Sequence, residues 1–293
     1  MRSHYKDNDK MRQNSLFSPP IYPQEVHHTD SGHLSQQVFI WKQRFLHQAR
    51  SHIRNRTISL GRRLSISVMF SHDGPFQLSG LGAAPFNCEG IIFASGSPRF
   101  AFEAVDSGLT IIDAGINTPA YFRLLDKVPN DSYRLLSAGE LERLRSNVRL
   151  IDSPLDRASA DNAFDQVIDT LTTAPTEQTT ISPRVKNILK LVEQRSPEEL
   201  SVKELARMGA ISESRLRALF QSDFNCSPAS YIRWVKLWRA IQCWRAPMTF
   251  TEAAQQAGFY DLAHLNRTVM DIFGQSPTAL SLAEGTHMQI CER

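Results

Sequence analysis

The side chains best suited to chemistry in this sequence lie in its last third, on two segments that share one pattern. Arg215 and Arg217 in the first segment, and Asn266 and Arg267 in the second, are residue types that form paired hydrogen bonds with base edges in the DNA major groove. Arginine matches the two acceptors of guanine, and asparagine matches the donor and acceptor of adenine. Arg267 is equally suited to a phosphate. These residue types indicate contacts with a nucleic acid.

The two segments are copies of one unit, because the sequence matches itself without a gap after a shift of 49 residues. The aligned pairs are Gly209 with Gly258, Leu216 with Leu265, Phe220 with Val269, Phe224 with Phe273, and Ser227-Pro228 with Ser276-Pro277. Two copies are too few for a solenoid, which needs at least three repeats. A duplicated supersecondary unit is the simpler interpretation.

Each copy has the sequence form of a helix-turn-helix unit, over about residues 201–224 and 250–273. In the first copy Ser201 begins a short helix, and Ser212 caps a second helix after a turn that contains Gly209. The second copy repeats this order. The second helix of each copy has a free outer side, which carries Ser214, Arg215, Arg217 and Gln221 in one copy, and Ala263, His264, Asn266, Arg267 and Met270 in the other.

A long helix is predicted between the copies, from Ser227 to Trp244, with Pro228 in its first turn. Its apolar side repeats at helical spacing, through Tyr231, Trp234, Val235, Trp238 and Ile241. Its other side offers Arg233, Lys236 and Arg239. Eighteen helical residues span about 27 Å. With the width of the units added, the two outer helices would stand about 34 Å apart, which is one turn of B-DNA.

The charge distribution agrees with a polyanionic partner. The whole chain of 293 residues carries a net charge of +3. Lysine and arginine balance aspartate and glutamate in residues 1–182, so the entire excess lies in residues 183–293. An excess of three charges also occurs by chance, so this observation supports the pattern of the repeat and does not replace it.

The first half of the chain has the texture of short strands. From residue 36 to about 126, apolar runs alternate with Gly and Pro turns, as in a small antiparallel sandwich or barrel. Residues 57–70 alternate between apolar and polar, the period of one half-buried strand. Aromatic residues would fill the interior: Phe76, Phe86, Phe93, Phe100 and Phe102. Such a barrel could hold a small ligand at its mouth, although phenylalanines that simply fill the core are the plainer interpretation.

The remaining segments complete the predicted organisation. Residues 1–35 are polar and contain three prolines, which predicts a flexible arm. Helical spacing over 138–147 and 160–171 predicts helices appended to the β-domain, which would therefore cover 36–174. Residues 175–182 lack apolar periodicity and form the expected linker. Everything beyond Pro183 is predicted to be helical, in a second domain over 183–293. The expected fold class is α+β.

Composition excludes several classes of protein. With 41% hydrophobic and 22% charged residues, the chain can bury real cores, and no apolar run reaches the ~18 residues of a membrane span. The beginning of the chain has no apolar stretch of the kind found in secretory signals. The four cysteines form no CxxC pair. We expect a cytoplasmic protein with free thiols, no structural metal and no cofactor.

Beyond residue 182 the motifs resemble those of the AraC/XylS family of bacterial transcription regulators. The resemblance covers about 183–282. It is carried by Leu205-Ala206, Ser212-x3-Leu216-x3-Phe220, Ser227-Pro228-x2-Tyr231-Ile232, Lys236-Leu237-x2-Ala240, Ala254-x3-Gly258-Phe259, Arg267 and Phe273-Gly274-x-Ser276-Pro277. Asn225 replaces a glycine that is usual in the family, and Ala218 replaces a common arginine.

The resemblance implies a function and a set of contact residues. It implies a regulator of transcription that binds double-stranded promoter DNA and contacts RNA polymerase. The sequence does not decide between activation and repression, and of the two we expect an activator. The family's base-contacting positions correspond to Ser214, Arg217 and Ala218 in the first unit, and to Leu262, Ala263, Asn266 and Arg267 in the second. The first half is loosely similar to the family's cupin-like barrels, which implies a domain that binds a small-molecule effector or forms a homodimer.

Two other classes of function remain to be compared with this prediction. An enzyme of the cupin type with a helical accessory domain would need a catalytic cluster or a metal site, and the best local pair is His72-Asp73 in a Gly-Pro turn. The His-x-His of metal-binding cupins is absent, and turn chemistry accounts for Asp73. A protein that binds regulators without contacting DNA would have no use for the arginines of the outer helices.

Overall fold

The structure is a computed structural model. It describes residues 36–291 except 52–57, 61–62, 81–83, 98–99, 105–106, 130–132, 151–153, 173–180, 245–247 and 275–285. The predicted arm over 1–35 and most of the predicted linker lie outside the described residues. The described part combines two β-sheets with nine α-helices, so the α+β fold class is confirmed.

Eleven described strands form two sheets. In chain order they are β1 (Gln36–Trp41), β2 (Arg44–Ser51), β3 (Ile58–Leu60), β4 (Ser65–Ser71), β5 (Phe76–Ser79), β6 (Phe86–Cys88), β7 (Gly90–Phe93), β8 (Phe100–Glu103), β9 (Ser107–Gly115), β10 (Tyr133–Leu135) and β11 (Thr286–Ile290). The larger sheet has the strand order β10-β7-β4-β9-β2-β1-β11, and the smaller has β3-β8-β5-β6. All pairs are antiparallel except β1 with β11.

The smaller sheet packs on one face of the larger sheet, and an aromatic core fills the space between them. Phe76, Phe100 and Phe102 of the smaller sheet are buried against Phe93 of the larger. The rings of Phe93 and Phe100 stack with centroids 4.0 Å apart. Phe86 is packed at the edge of this cluster. Of the two interpretations of these phenylalanines, core packing is the one observed.

The predicted long strand over 57–70 is divided in the structure. Its first part is β3, in the smaller sheet, and its second part is β4, near the centre of the larger sheet. Every residue of β4 is buried, because the smaller sheet covers one face and helices cover the other. The alternation of apolar and polar residues in β4 therefore does not produce a solvent-exposed face. Its polar positions are occupied by Ser65, Ser67 and Ser71, which are all buried.

Helices cover the second face of the larger sheet. They are α1 (Pro119–Leu124), α2 (Ala138–Asn147) and α3 (Arg157–Thr172), of which the last two were predicted. Ser137 and Glu140 form a reciprocal capping box at the start of α2. The apolar side of α3, with Phe164 and Val167, is fully buried within the chain.

Six helices follow the linker: α4 (Pro183–Val192), α5 (Val202–Met208), α6 (Glu213–Phe224), α7 (Pro228–Cys243), α8 (Phe250–Gln256) and α9 (Leu262–Phe273). The bounds agree with the predicted helices to within one or two residues. Their apolar faces join the helices of the first half in one continuous core. No helix within the described residues is both long and apolar enough to cross a membrane.

The prediction that everything beyond Pro183 is helical is wrong at the end of the chain. Strand β11 returns to the first half and pairs with β1 in parallel, with Gln36 opposite Thr286 and Ile40 opposite Ile290. Met288 is buried in the main core, and the Cys291 N–H donates to the Ile40 carbonyl over 2.7 Å. The second half is thus attached to the first through this strand as well as through the shared core.

Candidate nucleic-acid interface

The first helix-turn-helix unit consists of α5 and α6. Ser201 accepts a hydrogen bond from the Glu204 N–H over 3.1 Å, and Ser212 accepts one from the Arg215 N–H over 3.2 Å. Both serines therefore cap their helices as predicted. Gly209 ends α5 where a methyl group would lie 2.7 Å from Ile188, so the turn packs closely on α4.

The second unit consists of α8 and α9. Helix α8 begins at Phe250, within the predicted unit, and Thr249 is its cap and forms a capping box with Glu252. Asp261 caps α9 by accepting from the His264 N–H over 2.6 Å. Gly258 has a positive φ of 78° in the turn, a conformation that favours glycine.

Two cations of the connecting helix α7 donate to backbone carbonyls, one in the second unit and one in α4. Lys236 Nζ donates to the Gly258 carbonyl in the second unit over 3.1 Å. Arg239 donates to the Val192 carbonyl at the end of α4 over 2.8 Å. The prediction that these two side chains lie on a free outer side of the rod is therefore wrong. Only Arg233 of the three is exposed, and it lies 4.0 Å from Asp271 of α9.

The residues predicted to contact DNA occupy corresponding positions on α6 and α9. On α6, Ser214, Arg215, Arg217 and Ala218 are all exposed. On α9, Ala263 and Arg267 are exposed, and Leu262, His264 and Asn266 are half-buried. The structure thus brings the predicted residues of each unit together on one helix, but Leu262 packs against the hydrophobic core on the side of the buried Leu265.

The two arginines expected to matter most differ in their surroundings. Arg217 forms an ion pair with Glu213 one turn earlier, with 2.9 Å between nitrogen and oxygen. Within the described part of the chain, Arg267 takes part in no ion pair or hydrogen bond. Its position in the repeat corresponds to Ala218 of the first unit. The second unit therefore presents an unengaged guanidinium where the first presents a methyl group.

Tyr260 extends this surface and was missed from the sequence. It lies immediately before the Asp261 cap of α9, and 90% of its surface is exposed. A tyrosine hydroxyl is a common partner for DNA phosphates.

A cavity of about 320 Å³ lies between the two units and the first half of the chain. Leu64 contributes the wall from the first half. The other residues that line it belong to α6, α7, α9 and the connection between α6 and α7, and they are mostly polar: Gln221, Asn225, Cys226, Ser227, Ser230, Arg233, Thr268, Asp271 and Ile272. Burial raises the pKa of the Cys226 thiol to about 12, so this cysteine is protonated at neutral pH.

The pair proposed for a rival enzyme does not form a catalytic cluster. His72 Nε2 lies 2.8 Å from the Thr110 hydroxyl, and burial lowers the pKa of the imidazole to about 4. Among the residues that the structure describes, no group of three or more His, Cys, Asp or Glu side chains is arranged to hold a metal ion. Structural hydrogen bonding accounts for His72.

Comparisons with known proteins agree with this geometry. Residues 205–282 match the family model described as a helix-turn-helix domain. Over 99 residues the chain is 31% identical to the transcriptional regulator GbdR of Pseudomonas aeruginosa, an alignment that covers 33% of this chain. The chain spans only about a quarter of the length of that relative, 27%. The resemblance to AraC/XylS regulators in the second half is confirmed.

Solved structures extend the comparison to both halves. ToxT of Vibrio cholerae superposes with a TM-score of 0.53 at 10% identity, covering 82% of this chain and 97% of ToxT. A structure of ToxT with a bound unsaturated fatty acid gives a TM-score of 0.52 at 9% identity, covering 80% and 93%. At such low identity the likeness shows a shared fold: a sheet-rich first half followed by helical helix-turn-helix units.

Proposed function

Because residues 205–282 match the model of a helix-turn-helix domain, we propose that the protein is a sequence-specific DNA-binding regulator of transcription, and an activator. The observation that carries the proposal is the repeated unit itself. Two capped helices with exposed polar faces, α6 and α9, are held by one rigid helix, as two adjacent major grooves on one face of DNA require.

The base contacts are assigned to the second unit first. Arg267 is suited to a guanine edge and Asn266 to an adenine edge, while Leu262 and Ala263 offer apolar contact to a thymine methyl. His264 and Tyr260 flank these residues. In the first unit Arg215 and Arg217 supply charge, with Ser214 and Ala218 beside them. Free N–H groups at the beginning of each helix add phosphate contacts.

The first half is proposed to be a sensor and dimerisation domain over 36–174, joined by the linker 175–182 to the DNA-binding domain over 183–293, with β11 returning to the sensor sheet. The fatty acid bound by ToxT supports a small-molecule effector for this chain as well. The core between the sheets is filled, so the cavity beside Leu64 is the better candidate for its site. A homodimer, contact with RNA polymerase and a cytoplasmic location complete the proposal.

The test measures the equilibrium binding of the full-length protein to duplex DNA by fluorescence anisotropy. The full chain is required because β11 is part of the sheet of the first half. DNA from upstream of the protein's own gene is compared with a shuffled duplex across a salt series. We expect tighter binding to the natural sequence, and log affinity that falls linearly with log salt as phosphates are neutralised.

If no duplex binds even at low salt, the protein is not a DNA-binding regulator. If binding is salt-dependent but identical for natural and shuffled DNA, a selection from randomised duplexes follows. Failure of that selection to enrich any sequence would overturn sequence-specific recognition.

A further inference from the structure

The first half of the chain contacts the two recognition helices at equivalent points. Helix α6 ends at Phe224-Asn225 and α9 ends at Phe273-Gly274, and a shift of 49 residues relates these two pairs. Both Asn225 and Gly274 have left-handed backbone conformations, with φ of 51° and 72°. Each end also touches a residue of the sensor domain.

At the end of α6 the contact is a close approach of backbones. Gly96 has φ of +73°, and a methyl group placed on it would lie 2.9 Å from the carbonyl oxygen of Asn225. The ring of Tyr121 packs nearby, with its centroid 6.1 Å from that of Phe224. Glycine at position 96 therefore allows the loop after β7 to lie directly against the end of the first recognition helix.

At the end of α9 the contact is an arginine over an aromatic ring. The guanidinium of Arg63 lies 5.3 Å from the centroid of Phe273. The same guanidinium forms a buried ion pair with Asp113 in β9, and Ser67 donates to the other oxygen of that carboxylate. Arg63 is 9% exposed and Asp113 is 1% exposed, so this arginine is fixed in place by the sheet.

The two contact points are directly joined. The Gly96 N–H donates to the Arg63 carbonyl over 2.8 Å. A continuous connection therefore runs from Phe273 through Arg63 and Gly96 to Asn225, and we call the Arg63–Gly96 pair the brace. The 320 Å³ cavity is adjacent to it, since Leu64, the neighbour of Arg63 in the chain, and Asn225 are both lining residues.

We propose that the brace is a positioning element that sets the separation of α6 and α9, and with it the spacing between the two DNA half-sites. The proposal rests on the proposed function and adds a role for the sensor domain in it. Helix α7 contacts the second unit at Gly258 and the end of α4, and the Gly209 turn of the first unit packs on α4. The brace contacts the C-terminal ends of the recognition helices α6 and α9, so these helices are also held by the sensor domain. Movement of the sensor sheet would then change the spacing that the protein accepts.

The chain offers a matched pair of variants. Gly96→Ala adds a methyl group that conflicts with the Asn225 carbonyl, in a backbone conformation that already disfavours alanine. Gly74→Ala imposes the same backbone conflict, because Gly74 has φ of +77°, yet nothing lies within 4 Å of the added methyl group. Only the first variant should disturb the brace. Arg63→Lys is the second test, since it keeps a cation beside Asp113 and loses the planar surface over Phe273.

The first measurement needs no DNA. Spin labels at Ser214→Cys and Ala263→Cys, exposed and equivalent in the repeat, report the distance between the recognition helices in the full chain. Cys243 is replaced by serine, because the other three native cysteines are buried. We expect a narrow distance distribution for the parent and for Gly74→Ala, and a shifted or broader one for Gly96→Ala and Arg63→Lys. Unchanged distributions in both brace variants would overturn the proposal.

The second measurement uses the unlabelled full-length proteins and the best natural duplex, with and without one inserted base pair between half-sites. The insertion adds about 3.4 Å and a rotation. We expect the insertion to weaken the parent and Gly74→Ala strongly, and the brace variants several-fold less. If the parent binds no specific DNA, the proposed function fails, while the distance measurement still decides the brace. If the inserted base pair weakens binding by the parent and by the brace variants equally, the proposed role of the brace is overturned.

Discussion

The two helix-turn-helix units have the same backbone and different surfaces. Helices α6 and α9 are both twelve residues long. Each is preceded by a residue that caps it and followed by a residue in the left-handed conformation. The caps differ, Ser212 in the first unit and Asp261 in the second, and so do the left-handed residues, Asn225 and Gly274. Serine and aspartate can both cap a helix, and asparagine and glycine can both adopt the left-handed conformation. The backbone of the unit is therefore repeated more closely than its sequence.

The recognition surfaces diverge further. The second unit exposes Arg267 without an ion-pair partner among the described residues, next to Asn266, and adds Tyr260 at the start of the helix. The first unit has Ala218 at the position of Arg267, and its Arg217 is paired with Glu213. On this basis we propose a division of roles, in which the second unit contributes base specificity and the first contributes anchoring by charge.

The largest effect is expected from Arg267→Ala. Loss of a paired contact with a base should weaken specific binding by about 1–3 kcal/mol and relax preference at one position of the site. Anisotropy titrations on the wild-type site and on its three single-base variants at that position would measure this. Uniform weakening on every sequence would instead make Arg267 a phosphate contact, and unchanged affinity would contradict its place at the interface.

The next effect concerns stability and the left-handed helix ends. Gly274→Ala should lower the free energy of unfolding by about 1–2 kcal/mol, because φ of 72° is unfavourable for a residue with a β-carbon. Urea unfolding followed by circular dichroism would measure it. The control is Gly139→Ala in α2, where the helical backbone accepts alanine and the nearest side-chain atom is 3.7 Å away. Equal responses at both positions would contradict the assigned backbone role.

A smaller effect is expected in the first unit. Arg217→Ala should weaken binding by less than about 1 kcal/mol, since the arginine is already engaged with Glu213 and exposed pairs contribute little. It should also reduce the slope of log affinity against log salt without changing base preference. Glu213→Gln releases Arg217 and should strengthen binding slightly. A loss from Arg217→Ala as large as that from Arg267→Ala would remove the distinction between the units.

The smallest effect is expected from Asn225→Gly, which gives the first unit the residue found at the end of the second. Stability should stay within about 0.5 kcal/mol of the wild type, because asparagine tolerates the left-handed region and glycine gains unfolded-state entropy. Urea unfolding beside Gly274→Ala would show this asymmetry. A strong destabilisation by Asn225→Gly would mean that the asparagine side chain, which accepts from Gln221 over 2.6 Å, carries the role instead.

The second half was predictable because its signals are local. Caps such as Ser212 and Ser227, the glycine turns and the helical spacing of apolar residues lie within a few positions of what they determine. The repeat added a second, independent copy of each signal. The helix bounds and the exposed residues of α6 and α9 followed from these patterns, and the roles assigned to those residues remain predictions.

The errors concern contacts between distant residues. Lys236 and Arg239 have the sequence pattern of an exposed helix face, yet backbone carbonyls of two other elements capture them. Strand β11 is five residues long and depends on pairing with β1, far away in the chain. The brace could not be predicted from the sequence for the same reason, since a glycine at position 96 does not indicate that Asn225 lies against it.

The central claim is tested most directly by selection of duplexes from a random pool, carried out in parallel with full-length wild-type protein and Arg267→Ala. We predict that wild type enriches two half-sites about one helical turn apart, with stronger base preference in one of them. Arg267→Ala should relax that stronger half-site alone. Enrichment of no sequence, or relaxation confined to the weaker half-site, would contradict the account.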